Sequence, residues 1–427
     1  MLAGMLDTLM LSRVSDEAVG AVGTANTYIG MFFILFGVMS SGLIAVMTQY
    51  IGLNKKGIAY QARQLAIIIN GVIGVALSLF FGFGADWFIN TLGVAELIKP
   101  MTILYLRIVG AGCIFDALIP VFSCYLRAFD KSNYSLIAAF SGNVVNFIFN
   151  IFAVFVFHTD VLGVAIGTVV GKAVTIILCL IFGKIKINGL QYSERQSRKQ
   201  LIKDIVRVGF PAALETTIYS VALGVVTVFL GMMDNTGYAA TVKTYASQIT
   251  NFPYCVVFAL AQANVITVGW NIGRGDIKKC YKDTRIAAIF AIVFDVLIEL
   301  ILAIISPWLF RLFTDNTDLI QLVQYALFID IALELGRATN VVYGQTLKST
   351  GDSIFPAVIA IIFNASITIG GAYLFGIVLK LNAIGVFIAL TADECVRAIF
   401  MSIRWRQGKW EKKIIVKHEE NTNEAMS

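Results

Sequence analysis

Leu126–Ser132 reads LRAFDKS and Leu347–Ser353 reads LKSTGDS, so two similar polar turns stand 221 residues apart. The same offset pairs Gly52 with Gly273 and Asn143 with Asn364, and after one inserted residue Gly163 pairs with Gly385. The chain is therefore two copies of one unit. Between the turns, each copy consists of apolar runs of about 20 residues or more, the length a helix needs to cross a bilayer core. A duplicated bundle in a membrane points to a carrier with its pathway between the halves.

Composition agrees. Of 427 residues, 58% are hydrophobic and 14% charged, with a mean hydropathy of +0.80, which excludes an ordinary soluble domain. Eleven spans can be drawn, near 28–51, 62–86, 101–127, 134–157, 161–183, 205–231, 243–270, 285–311, 319–346, 354–377 and 382–405, after a partial first one. Backbone amides inside lipid must be satisfied locally, so the spans are read as helices. In the second copy a full helix precedes the turn that matches Val14–Ala21, whereas the first copy offers only Met1–Arg13. The repeat thus predicts a first span shortened by about 15–20 residues. The expected organisation is an all-α, twelve-span membrane protein of two six-helix repeats: residues 1–183, a linker 184–204, residues 205–405 and a tail 406–427.

Basic residues mark orientation. Lys55, Lys56 and Arg63, Arg127 and Lys131, the linker KIKINGLQYSERQSRKQLIK at 184–203, Arg274–Arg285, Lys348 and the tail from Arg404 all follow even-numbered spans. That side is expected to be cytoplasmic, with both termini of the full-length form on it, in a plasma membrane. The net charge of +6 therefore reads as topology and lipid attraction, with no nucleic-acid partner. Five of six cysteines fall within spans and only Cys280 in a loop, so neither a disulfide framework nor a zinc site is expected. GTVVGK at 167–172 lies in a span and lacks the spacing of a phosphate loop. The two histidines, His158 and His418, fall in a turn and the tail. No cofactor, metal or enzymatic constellation emerges.

Charge inside hydrocarbon is costly, so ionisable residues within spans are the functional candidates. They are Asp7, Asp116, Glu215, Asp295, Glu299, Asp330 and Glu334, with Arg107, Lys172, Arg337 and Arg397 as available cations. Asp330, Glu334 and Arg337 lie at i, i+4 and i+7, on one face of span ten. Asp393, Glu394 and Arg397 have comparable spacing in span twelve, read first as a structural ion pair. Asp295 and Glu299 are also one turn apart, without a cation on their own helix. Glu215 follows Gly209-Phe210-Pro211, with no basic residue near it in sequence; it could take up a proton or a cation. Asn143, Asn146 and Asn150 share a face of span five and could line a polar cavity, or bond between helices. Tyr28 and Tyr245 are aromatic candidates for an organic cation, although packing explains them as well.

With these residues placed, the whole chain resembles the multidrug and toxic compound extrusion (MATE) family. DTLMLSRVSDEAVGAVGTAN from Asp7 resembles its first-span signature, VGFPAALET at 208–216 its span-seven signature with the membrane glutamate, and the two turns quoted above its paired loops. The resemblance implies a V-shaped, two-lobed bundle that exports organic cations or other amphipathic compounds in exchange for protons or sodium, acting as a monomer. It also implies coupling through Asp7 and Glu215, with Asp330 and Glu334 as further candidates. Where some members carry an acid on span five, this chain has Asn150, and an acid expected in span ten is replaced by Arg337. A flippase for lipid-linked saccharides or peptidoglycan precursors shares the superfamily but calls for a cationic cavity, whereas acids outnumber bases in these spans.

Overall fold

The computed structural model describes residues 10, 15–92, 94–157, 159–187, 195–233, 238–311 and 316–416. Asp7, His158, His418 and the turn at 234–237 lie outside the described residues. Among those described there is no strand. Twelve α-helices run in order: α1 (Asp16–Gly52), α2 (Lys56–Thr91), α3 (Lys99–Ala111), α4 (Cys113–Ala128), α5 (Ser132–Ile151), α6 (Asp160–Lys186), α7 (Arg198–Met233), α8 (Tyr238–Gly273), α9 (Ile277–Phe310), α10 (Thr317–Thr350), α11 (Ile354–Phe363) and α12 (Asn382–Arg406). Among the described residues, nine helical stretches are long and apolar enough to cross a membrane, or ten with one bent pair counted as a span.

Two expectations need correction. The span drawn at 101–127 is a broken one, α3 and α4 meeting at Gly112 with a bend of 44°. The Gly112 amide turns back to Val109 O instead of continuing the helical ladder, and apolar residues on both sides hid the break from a hydropathy reading. Cys280 does not sit in a loop. It lies in the first turn of α9 and is buried, because Asp276 caps that helix by accepting a hydrogen bond from the Lys279 amide.

The chain divides into two compact units, one of residues 1–51 and 55–209, the other of 52–54 and 210–427. Each has its own apolar core. In the first, Phe81, Ile89, Tyr105 and Leu106 are completely or almost completely buried; in the second, Val226, Val323, Leu327 and Val386 are.

The repeat extends to individual backbone hydrogen bonds. Lys131 N–H donates to Leu126 O, and at the 221-residue offset Asp352 N–H donates to Leu347 O. Lys55 to Tyr50 and Asp276 to Asn271 form a second matched pair. Further on the offset becomes 222: Phe157 to Phe152 matches Leu379 to Leu374, and Thr159 to Ala153 matches Leu381 to Phe375. Asp160 and Asn382, at the starts of α6 and α12, both adopt positive φ. The inserted residue therefore enters after Asn364 and before Leu374. There the second copy has a π-helical stretch, Asn364–Ile369, where the first copy is still regular α5. The π stretches that follow, Phe152–Val156 and Ala372–Val378, occur in both copies. A π turn takes up one extra residue, so the later residues keep their faces.

Beyond α12, Gly408 at φ 65° reverses the chain and Lys409–Lys413 forms a 3-10 turn. Trp410 is fully buried. Its ring stacks on Trp405 at 4.5 Å, its Nε1–H donates to Trp405 O at 3.1 Å, and Tyr281 of α9 packs on it and donates to Glu411 Oε1 at 2.7 Å. The first residues of the tail are thus folded onto their unit.

Candidate functional site: buried carboxylates of the second unit

Packing of α9 against α10, and of α10 against α12, collects the spaced acids of three helices. Asp295, Glu299, Asp330, Glu334, Asp393 and Glu394 are all buried. A close backbone approach makes this possible: a Cβ on Gly336 would stand 2.8 Å from Cys395 N and 2.9 Å from Glu394 C, so only glycine lets α10 lie so near α12.

The cations are fewer. Arg337 contacts Glu334 and lies 5.6 Å from the Tyr254 ring centre. Arg397, itself buried, bridges Asp393 at 2.6 Å and Glu394 at 2.7 Å, and lies 5.5 Å from the Tyr219 ring centre. Asn340 donates to the second Glu394 oxygen at 2.9 Å, tying α10 to α12. Glu394 is therefore well satisfied, and its pairing suits a structural role.

Asp295 and Glu299 are different. Both are fully buried, and no hydrogen-bond donor reaches any of their four oxygens. The Asp295 carboxyl adjoins that of Glu334, and two carboxyl groups so placed can bond only by sharing a proton. One oxygen each of Asp330, Glu334 and Asp393 is also unsatisfied. Unsatisfied carboxylate oxygens packed together in a low-dielectric interior bind a proton or a cation readily.

Glu215, without a neighbouring base in sequence, has one in space. Lys348, in the last turn of α10, places Nζ 3.1 Å from each Glu215 oxygen. Sequence reasoning missed that pairing, as it missed Lys243 of α8, whose charge acts on Asp330. Local motifs carry no signal for a contact spanning 133 residues.

The amide face of α5 belongs to the first unit. Asn146 and Asn150 are buried; Asn146 donates to Thr168 at 3.4 Å and accepts from Asn150 at 3.5 Å. Asn143 and Asn146 line a cavity of about 250 Å³ with Asp116, Lys172, Thr168 and Thr175. Asp116 and Lys172 form an ion pair across it at 2.8 Å. The glycines of GTVVGK serve packing: Gly171 sits against Gly142 O and Asn146 Cβ. Arg107 pairs with Asp86, both half-exposed. Tyr28 packs edge-on to Phe88 at 5.6 Å and Tyr245 stacks on Phe310 at 5.2 Å, so both rings rest against apolar cores.

A duplicated, all-helical membrane bundle with a buried acidic cluster in one copy defines the class of membrane carriers. Comparison with known proteins specifies it: the MatE family model matches residues 1–152 and 211–374, and the chain belongs to that family. It is 30% identical to the uncharacterized transporter YisQ of Bacillus subtilis, over 97% of this chain and 92% of that protein. It is 26% identical to the probable multidrug resistance protein NorM of Thermotoga maritima, over 98% and 91%. A MATE crystal structure in the bent conformation shares the fold with a TM-score of 0.86 at 20% identity, over 96% of this chain and 92% of that one.

Proposed function

We propose that this protein is a secondary active antiporter of the plasma membrane that exports organic cations or other amphipathic compounds in exchange for protons or sodium. The reading rests on one observation. Asp295, Glu299, Asp330 and Glu334 are buried together, with Arg337 on Glu334 and Lys243 acting on Asp330 as cations, and six of their carboxyl oxygens lack a hydrogen-bond donor. A surplus of buried acid is suited to bind cations and unsuited to hold a pyrophosphate, which favours cation export over lipid-precursor flipping. Binding a proton or cation in this cluster relieves repulsion among the acids and so biases the carrier between its alternating states. Glu215 serves the same unit, Asp7 is the candidate in the first copy, and no cofactor is required.

The test is uptake of a fluorescent organic cation into inverted vesicles, driven separately by a pH gradient and a sodium gradient. One gradient is expected to drive uptake, and Glu334→Gln and Asp330→Asn to reduce it at least tenfold. Uptake indifferent to collapse of both gradients refutes antiport. Equal uptake in the parent and both variants refutes the assignment of the cluster.

A further inference from the structure

Lys348 stands in the last turn of α10, where Gly351 caps the helix with its amide on Leu347 O and Lys348 O. The hydroxyls of Thr346, Ser349 and Thr350 around it are buried and each donates to a backbone carbonyl of the same helix. The ammonium reaches instead across to α7 and sits symmetrically on Glu215, 3.1 Å from both oxygens. Its side chain is 11% exposed and that of Glu215 20%. A small monovalent cation bound in bidentate fashion by that carboxylate would occupy the same place. Arg397 of α12 also feels the charge of Glu215, but it is committed to Asp393 and Glu394. Tyr219, one turn further along α7, faces Arg397.

We infer that Lys348 is a tethered counter-cation: it holds Glu215 while the carrier is empty, and an incoming cation gains the carboxylate only by displacing it. The inference rests on cations reaching Glu215, as proposed above. It adds a competitor built into the chain, which sets the cation concentration at which the carrier loads. The displaced ammonium stays in the last turn of its own helix, where the negative end of the helix dipole favours positive charge. An empty carrier then never presents a bare carboxylate at this point. Lysine suits the task, being a point charge on a flexible stem that can swing off the acid.

Equilibrium dialysis of the purified full chain against tetraphenylphosphonium, and separately against sodium, tests this. Removing the competitor should tighten binding, most directly that of sodium, which the carboxylate can hold in bidentate fashion: Lys348→Gln is expected to lower the half-saturating concentration about tenfold. Lys348→Arg, keeping a charge, should stay within about threefold of the parent. Glu215→Gln should weaken binding, and the Glu215→Gln/Lys348→Gln pair should behave as Glu215→Gln alone. Lys348→Met, which keeps the apolar stem, is a second neutral variant, and only protein eluting as a single species on gel filtration is assayed. Unchanged or weaker binding in both neutral variants, with Glu215→Gln still weakened, overturns the tethered-cation idea and leaves antiport standing. If Glu215→Gln also binds as the parent does, Glu215 is no cation site and the tethered-cation idea falls with it, whereas antiport through the acidic cluster is decided by the vesicle assay above.

Discussion

Replacing Arg397 with Met removes the only cation among the described residues that touches Asp393 and Glu394. The guanidinium is buried, as are both acids, and the contacts are 2.6 and 2.7 Å. At an effective dielectric near 20, a pair of unit charges about 3 Å apart attracts by roughly 5–6 kcal/mol. Most of that is offset by the cost of taking the charges out of water, so the intact triad contributes little net stability. Removing one member is another matter. Two buried carboxylates then face one another without a cation, and such orphaning costs about 3–5 kcal/mol, which for a unit of about 200 residues lowers the apparent melting temperature by roughly 10 °C. The assay is thermal melting of the detergent-solubilised protein followed by gel filtration. Asp393→Asn and Glu394→Gln, added to Arg397→Met, are expected to restore most of the loss, because neutral amides have no charge to strand. A single Arg397→Met variant that melts like the parent refutes the reasoning, as does a triple variant no better than the single.

Gly336→Ala adds a Cβ 2.8 Å from Cys395 N, forcing α10 and α12 apart by roughly 0.6–1 Å to restore ordinary contact; the Asn340–Glu394 hydrogen bond is expected to break, at an overpacking cost of about 1–3 kcal/mol, read as a lowered melting temperature with impaired transport. Trp410→Ala empties a fully buried site and should cost about 3–5 kcal/mol. Limited proteolysis checks it directly, since cleavage after Lys412 or Lys413 should appear in the variant well before it appears in the parent.

The fold was legible because each span is a long apolar run and because the chain states its pattern twice. Charge spacing was legible too: Asp330, Glu334 and Arg337 share a face by helical arithmetic alone, and the contact of Arg337 with Glu334 follows. Partnerships between distant segments were not. Asp116 and Lys172 were each visible as an isolated intramembrane charge, but only packing of α4 against α6 shows that they neutralise each other. Lys348 looked like one more basic residue beside a turn, since nothing in LKSTGDS indicates that its side chain points back along the bundle. Trp410 likewise sits in a basic, aperiodic run where no local rule predicts burial. The break at Gly112 went unseen because glycine is common within membrane helices and hydropathy does not register backbone geometry.

The extra π-helical stretch at Asn364–Ile369 carries a record of ancestry. When one copy of a duplicated gene gains a codon inside a helix, a regular α-helix would turn every later side chain by about 100°, which would swing the lining of the carrier into lipid. Widening one turn confines the change to a few residues, so the mutation survives. Thr368, within that widened turn, is buried and its side chain bonds that of Asp393, so the altered stretch, which follows α11, touches one of the buried acids. A single added codon can in this way give two initially identical halves different interiors, and division of labour between the copies needs no change in their outer architecture.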